Sequence, residues 1–373
     1  MFENTSPNIH DFATTTNFYN LTYSEVTAYL LQNGHSKFVT TQLFNWIYKK
    51  NERNHTLWSN ISKNLKSQLT NHFSFAIPEI ITTQISKDGT VKFLFKMCDQ
   101  EVVEGVLIKF PDRLTLCVST QVGCAMGCNF CYTGTQGFKR NLSTAEIVGQ
   151  YLSADLWLKN FNQNNQNNQN NQSNLEKITN VVYMGQGEPL NNFLNVKKAT
   201  LNLMEPEGLA IGQRKITLST SGMVPQIMKL DEFPSINIAI SLHSARNSVR
   251  DVLMPINKIY DLERLFEAIK TIPLKAHRRI TYEYLLIDGL NNTLLDIEAL
   301  CKLIPRETSK INIIPFNEYP NSKFKCPSES NIRWFSDELG KRNFTSTIRL
   351  SKGADILAAC GQLRSQMQSG TSD

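Results

Sequence analysis

Three cysteines fall within eight positions of the stretch "GCAMGCNFCYTG": Cys124, Cys128 and Cys131. A structural zinc site takes four ligands, usually as two separated pairs. No second pair lies nearby. The spacing Cys-x3-Cys-x2-Cys lets one loop wrap a compact cluster, and thiolates are soft ligands that suit iron and sulfide. A [4Fe–4S] cube held by three protein thiolates leaves one iron open. One small molecule carrying an amine and a carboxylate can fill that position, and S-adenosylmethionine carries both. Reduction of its sulfonium beside the cluster breaks a C–S bond and yields a 5′-deoxyadenosyl radical. A zinc site, or cysteines clustered by coincidence, is the competing reading.

Other residues could complete such a site. Gly185-Gln186-Gly187-Glu188-Pro189 follows an expected strand. Glycines let a backbone approach a ligand, and a carboxylate there can pair with an ammonium. Alone, this is a weak signal that a plain tight turn also explains. Ser219, then Ser241-Leu242-His243, then Asn317 fall at the ends of later expected strands. Parallel α/β folds build active sites at those ends. His243 alone reads as a strand-end residue satisfied locally. Cys360 alone reads as a cysteine of a C-terminal helix, and Glu104 as an exposed strand residue. Cys98, Cys301 and Cys326 have no motif around them and read as ordinary packing or surface residues.

The elements that must position these residues follow from hydrophobic period. Residues 20–80 carry apolar side chains at helical spacing, as in "SEVTAYLL", "QLFNWIYKK" and "SKNLKSQLTNHF". Phe44, Trp46, Tyr48, Lys49 and Lys50 read as an amphipathic core face with solvated lysines before they read as an RNA surface. A β-rich stretch follows in "TVKFLFKM", "VVEGVLIKF" and "RLTLCVS". Ser143-Thr144-Ala145-Glu146 is a capping box opening a helix to about residue 159. Strands are then expected at 179–184, 214–219, 236–241, 279–286, 310–315 and 344–350. Helices are expected between them near 194–205, 223–230, 261–271, 293–304 and 330–340. Alternation of this kind implies a parallel sheet, and its length implies a barrel or partial barrel. The tract "NFNQNNQNNQNNQSN", residues 160–174, has no charge and no apolar period after Phe161, and reads as a disordered surface insertion.

Bulk composition narrows the class. The chain has 373 residues with 41 % hydrophobic content, enough for a barrel-sized core plus an appendage. Its formal charge of +6 permits a polyanionic partner without requiring one. No apolar run reaches the ~18 residues of a membrane span. The start "MFENTSPNIHDF" has neither the basic flank and apolar run of a secretory signal nor the arginines of a mitochondrial presequence. Without a signal, eight cysteines read as ligands, catalytic thiols or core before disulfides.

Cys124-x3-Cys128-x-Phe130-Cys131 is the signature of the radical S-adenosylmethionine superfamily. With "GFKRNL", "MGQGEPLNN", "TLSTSGMVP", "SLHSARNSVRDVLMPIN", "NIIPFN" and "AACGQL" in this order, the chain resembles the RlmN family from about residue 20 to 365. That family makes 2-methyladenosine in large-subunit ribosomal RNA and transfer RNA. The resemblance implies a partial (β/α)6-type radical-SAM barrel of α/β class with a small helical N-terminal accessory domain. It implies a [4Fe–4S] cluster on Cys124, Cys128 and Cys131, and S-adenosylmethionine against Gly187, Glu188, Ser219, Ser241, Leu242, His243 and Asn317. Cys360 matches the residue that is methylated first, whose S-methyl carbon, once a hydrogen is removed, adds to adenine C2. Glu104 matches the base that removes the C2 proton. Cys117 matches the thiol that attacks Cys360 sulfur and releases product, leaving a Cys117–Cys360 disulfide. Gln186 stands where the family usually has methionine, and little effect is expected because the flanking Gly and Glu remain.

The resemblance further implies ribosomal and transfer RNA as partners and an electron donor such as flavodoxin or ferredoxin. It suggests a monomer without membrane attachment, in the cytoplasm or, in a eukaryotic host, an organelle. The expected organisation is a disordered 1–19, an accessory domain at 20–85, a catalytic domain at 86–363 and a disordered 364–373. Lys139-Arg140, "KAHRR" at 275–279 and "RLSKG" at 349–353 are basic spots able to meet phosphates, though as charge runs they read first as solvated faces. Two competitors stand: a Cfr-like C8 methyltransferase of ribosomal RNA, and a non-catalytic metal-binding RNA-binding protein.

Overall fold

Thr22 and Glu25 form a complete capping box, with the Thr22 N–H donating to Glu25 Oε2 at 2.8 Å, and this starts the first helix. The computed structural model describes residues 16–164, 177–275 and 277–365. It opens with α1 (Tyr23–Gln32), α2 (Phe38–Phe44), which continues as a π turn over Asn45–Lys49, and α3 (Lys63–His72). Phe44 and Tyr48 stack at 4.8 Å inside this unit, while Lys49 and Lys50 are exposed. The aromatic–basic mixture is therefore the core face with solvated lysines.

A ten-stranded sheet carries the rest. Its strands are β1 (Glu79–Ile85), β2 (Val91–Lys96), β3 (Val102–Lys109), β4 (Leu114–Cys117), β5 (Ile178–Tyr183), β6 (Ile216–Thr220), β7 (Asn237–Ser241), β8 (Ile280–Leu286), β9 (Ser309–Pro315) and β10 (Ser346–Ile348). Each strand pairs with its neighbour in sequence, from β1 at one edge to β10 at the other. β1 to β4 are antiparallel, because turns of a few residues join them. β4 to β10 are parallel, and a parallel pair needs a crossover. The crossovers hold α4 (Thr144–Asn164), α5 (Phe193–Met204), α6 (Val224–Ile227), α7 (Asn247–Leu253), α8 (Leu262–Lys270), α9 (Leu294–Leu303) and α10 (Glu329–Lys341). β1 and β10 do not pair with each other, so the barrel is partial.

Side-chain alternation separates core from lumen. On β8, Tyr282 stacks on Phe266 of α8 and Tyr284 on Phe335 of α10, at 5.6 and 5.3 Å. The intervening Thr281 and Glu283 face the interior cavity. On β5, Tyr183 hydrogen-bonds Thr200 of α5 at 2.8 Å while Asn180 and Val182 line the cavity. Polar side chains thus occur at inward positions of buried strands. The N-terminal unit docks on α4 and α5: Asn202 donates to the Leu21 carbonyl at 3.1 Å, and Lys198 pairs with Glu25 at 2.6 Å.

The expected elements shift in three places. α4 runs to Asn164 rather than 159, because Phe161 stacks on Trp157 one turn earlier at 4.8 Å. Residues 160–164 are therefore helix, not insertion; 165–174 lie outside the described residues, as do 1–15 and 366–373. The helix expected at 223–230 is a single turn, and the strand at 344–350 pairs only over Ser346–Ile348. The short α7 was not anticipated.

Candidate active site

The cysteine loop is clamped from three sides. A ribbon of Gln121–Gly123 with Phe138–Asn141 closes its base, and the Cys124 N–H donates to the Gly137 carbonyl at 2.9 Å. Gly123 has φ +74°, and a Cβ there would fall 1.8 Å from that same carbonyl oxygen. Asn129 is tied through its N–H and side chain to Leu253 and Val252 at the end of α7, at 3.0 and 2.6 Å. The Tyr132 N–H donates to the Gly361 carbonyl at 2.7 Å and the Thr133 hydroxyl to the Leu363 carbonyl at 2.6 Å, so the C-terminal segment lies across the loop. The result turns Cys124, Cys128 and Cys131 into one cavity of about 890 Å³ empty volume.

The strand ends supply the facing wall. Gly187, Glu188, Ser219, Ser241 and His243 line the same cavity as the three thiols. Gly187 has φ +100°, and a Cβ there would sit 2.5 Å from Gln121 Cβ. Glu188 is buried and accepts the Leu190 and Ser221 N–H groups at 3.0 and 2.7 Å. Burial nonetheless raises its carboxyl above the ordinary range, against those bonds, so a cation in the cavity would be a favourable partner. His243 accepts the Leu285 N–H on Nδ1 at 3.1 Å and packs edge-on against Phe130 at 4.7 Å. Burial, then the nearby Arg250, push its pKa down to about 3, so it is a neutral ring with Nε2 as donor. Leu242 is fully buried and contributes backbone: its N–H donates to the Glu283 carbonyl at 3.0 Å.

A second cavity, of about 1670 Å³ empty volume, fills the barrel interior and shares Met184, Glu283, Ile314 and Cys360 with the first. Cys117 at the end of β4 and Cys360 both line it. Burial raises the Cys117 thiol and the nearby Cys360, itself exposed, raises it further. All eight cysteines are free, so the Cys117–Cys360 disulfide is not a bond of this structure. Cys360 lies beyond the last short helical turn, in an irregular segment rather than a helix. Asn317 lines this second cavity rather than the first, and its amide donates to the Cys360 carbonyl at 3.1 Å.

Glu104 is buried rather than exposed. It shares the inward face of β3 with Val106 and Ile108, which line the second cavity, but the C-terminal segment covers it. Its carboxylate pairs with Lys92 at 3.3 Å and accepts the Arg364 N–H at 2.8 Å. Burial raises its pKa, with Lys92 opposing. Gln186 anchors this corner: its side-chain oxygen accepts the Glu104 N–H and the Ser365 hydroxyl, at 3.0 and 2.8 Å.

Sequence reading passed over three residues. Arg250 is fully buried and donates to the Leu242 and Ser221 carbonyls and to Asn257 Oδ1, at 3.1, 2.8 and 2.8 Å, bracing two strand ends beside the cysteine loop. Its only sequence signal is an arginine on an otherwise apolar turn, "SVRDVL". Glu283 accepts the Ser219 hydroxyl at 2.8 Å from within β8. Ser221 follows β6, and its buried hydroxyl has no partner.

These features fit a thiolate-held cluster and a zwitterionic ligand. Burial raises Cys124 up to about 12 and Cys128 well above its ordinary value, with Arg250 partly opposing at Cys128; bound cationic iron would offset that cost. The orphaned Ser221 hydroxyl faces the same cavity. Among the described residues no three His, Cys, Asp or Glu side chains group as ligands of one metal ion.

Comparison with known proteins supplies the class. Residues 170–304 match the Radical SAM superfamily, a span that begins after the cysteine loop, and residues 16–75 match the ribosomal RNA large subunit methyltransferase N-terminal domain. Partial barrel, loop thiols and strand-end wall together make this a radical S-adenosylmethionine methyltransferase, a class that uses a [4Fe–4S] cluster and S-adenosylmethionine. The crystal structure of a radical SAM methyltransferase from Sphaerobacter thermophilus superposes with a TM-score of 0.83 at 35 % identity, covering 94 % of this chain and 99 % of that one. Three curated relatives carry the name dual-specificity RNA methyltransferase RlmN. Those of Bartonella quintana, Brucella anthropi and Syntrophus aciditrophicus are 44, 42 and 40 % identical, over 87, 89 and 93 % of this chain and 81, 82 and 96 % of theirs. The chain belongs to the RlmN family.

Of the basic spots, Lys139 and Arg140 are committed to Glu101, Asp99 and Glu146, at 2.8, 2.7 and 2.8 Å. Arg279, Arg349 and Lys352 instead converge on the second cavity with Arg113 and Arg214. No helix among the described residues is long and apolar enough to cross a membrane.

Proposed function

We propose that this chain methylates C2 of adenosine in large-subunit ribosomal RNA and in transfer RNA. The observation that carries the reading is that Cys360 stands where the two cavities meet, with Cys117 in the second, in a chain of the RlmN family. Cys124, Cys128 and Cys131 hold the cluster. Gly187, Glu188, Ser219, Ser241, Leu242 and His243 hold S-adenosylmethionine: Glu188 takes the ammonium and the neutral His243 a hydrogen-bond acceptor. Asn317 completes the set at the junction by fixing the Cys360 backbone. When bound, these groups supply the one-electron chemistry that an unactivated C2 requires.

The remaining work falls to side chains of this chain. Cys360 carries the methyl group between the two cavities. Glu104 takes the C2 proton; its raised pKa makes it a stronger base, and a shift of the C-terminal segment frees the oxygen now held by the Arg364 N–H. Cys117 attacks Cys360 sulfur, so that an S–S bond forms as the C–S bond to product breaks. That bond exists only in turnover and is reset by an external thiol. Residues 20–85 serve as the accessory domain and 86–363 as the catalytic domain. The electron donor is of flavodoxin or ferredoxin type, and the chain works as a monomer in the cytoplasm or a reducing organelle.

Anaerobic turnover on ribosomal and transfer RNA transcripts, followed by digestion and mass spectrometry, tests the reading. It is expected to yield 2-methyladenosine. 8-Methyladenosine would overturn the regiochemistry. One zinc per chain in place of about four irons, with no methylated product, would overturn the enzyme.

A further inference from the structure

In the barrel interior, among the described residues, one buried amide oxygen has no partner and a carboxylate beside it is bonded on one oxygen only. Asn312 is 5 % exposed, lines the second cavity, and its Oδ1 has no hydrogen-bond partner. Glu283 is 8 % exposed; Ser219 occupies Oε2, and among the described residues nothing hydrogen-bonds Oε1, although the Arg349 charge acts on the carboxylate from the same cavity. The two are register partners on adjacent parallel strands, β8 and β9. Neighbouring strands lie about 4.8 Å apart, so both side chains leave the wall at one height, side by side. A buried pair kept for stability alone would satisfy its own atoms. This pair presents acceptors and an amide donor to an empty space, which is the arrangement of a ligand site.

Position separates this site from the cofactor wall. Ser219 and Ser241 line only the cluster-side cavity, and Asn312 lines only the second. Glu283 and Cys360 line both. The second cavity also carries Arg214 and Arg279, which stand at the N-terminal ends of their strands and suit a polyanionic chain; Arg113 beside them is already paired with Asp112 at 2.9 Å. Its occupant is therefore a group attached to a phosphate backbone that must reach Cys360.

We propose that Asn312 and Glu283 read the Watson–Crick edge of a single unstacked adenine held in the second cavity. The assignment rests on the RNA-adenosine reading above. Asn312 Oδ1 accepts one N6 hydrogen and its Nδ2 donates to N1, a two-bond pairing on the Watson–Crick edge, the edge by which an unstacked base is read. Glu283 Oε1 accepts the other N6 hydrogen. Guanine would set its O6 acceptor against both oxygens and its N1–H against the amide donor, so the pair discriminates by repulsion as well as attraction. C2 lies next to N1, leaving its face open to Cys360.

The test uses cluster-loaded enzyme and two RNA transcripts differing only at the target, adenosine or purine riboside, which lacks N6. Wild type must first form 2-methyladenosine; failure there overturns the function reading and this assignment with it, whereas the variants below test this assignment alone. Wild type is expected to lose about 100-fold or more in kcat/KM on purine riboside. Asn312→Ala should lose a similar factor on adenosine and lose little more on purine riboside. Asn312→Asp, nearly isosteric, covers the case in which the alanine variant misfolds and should also lose activity, having no N1 donor. Glu283→Gln keeps an acceptor and should retain most activity, whereas Glu283→Leu should not. Methylation of Cys360 by S-adenosylmethionine without RNA should be unchanged in both Asn312 variants, since Asn312 lines only the second cavity. A variant at Asn312 that keeps the full adenosine preference would overturn the proposal. So would an Asn312 variant losing Cys360 methylation without RNA, which would make Asn312 a cofactor residue.

Discussion

The two cavities that meet at Cys360 are built by opposite strategies. The cluster-side cavity takes its reactive groups from one loop, where three thiols are neighbours in sequence and the fold only clamps them. The second takes one or two side chains from each of several strands and closes with the C-terminal segment. The first depends on local covalent spacing, which survives many changes elsewhere. The second exists only because strand register aligns Glu283 with Asn312 and brings Cys360 back to Cys117. Mutations should therefore separate the two by what they leave working.

The largest effects fall on the thiols. Cys128→Ala is expected to lose about four irons along with S-adenosylmethionine cleavage and product, read by iron analysis and chromatography. Cys360→Ala is expected to abolish product while keeping iron and cleavage, which would place the block after S-adenosylmethionine cleavage, where the two cavities meet. Glu104→Gln comes next, with a rate loss of about 10²- to 10⁴-fold. Because burial raises the Glu104 pKa and the base must be ionised, wild-type activity should rise with pH through a midpoint above that of an ordinary glutamate. A profile with no such limb, or one unchanged in Glu104→Gln, would remove Glu104 as the base.

Arg250→Leu strands the carbonyls of Leu242 and Ser221 and should cost about 3 kcal/mol, seen as a lower melting temperature with weakened S-adenosylmethionine binding. Smaller still, Arg214→Ala and Arg279→Ala should each weaken RNA binding and lower the salt slope by about one. Arg140→Ala, whose charge is already held by Asp99 and Glu146, should leave that slope unchanged. Equal slopes in all three would break the assignment of the arginine rim to RNA. Deleting 165–174 is expected to change neither melting temperature nor turnover.

Legibility followed the same division. Cys124, Cys128 and Cys131 were visible because one short loop holds them, and the parallel strands were visible because their apolar runs alternate with helical periods. Three readings fell short. Glu104 read as exposed because nothing in "VVEGVLI" reveals that residues 362–365 fold over it. The helix to Asn164 was cut short because the tract's polarity outweighed a single Phe161 stacking on Trp157. Lys139 and Arg140 read as free basic residues because Asp99 and Glu101 lie far upstream and Glu146 read only as a capping residue.

By itself, the sequence determined the chemistry this chain can load: three soft ligands at cluster spacing, and polar residues at strand ends that any parallel sheet brings to one side. Those follow from bond lengths and strand period, which are local. Tertiary structure alone decided what that chemistry meets. Arg250 reaching two strand ends, Asn317 on the Cys360 carbonyl, and Glu283 beside Asn312 are contacts between residues far apart in the chain. They are set by sheet register and by the path of the C-terminal segment, and neither is written in any short stretch of residues.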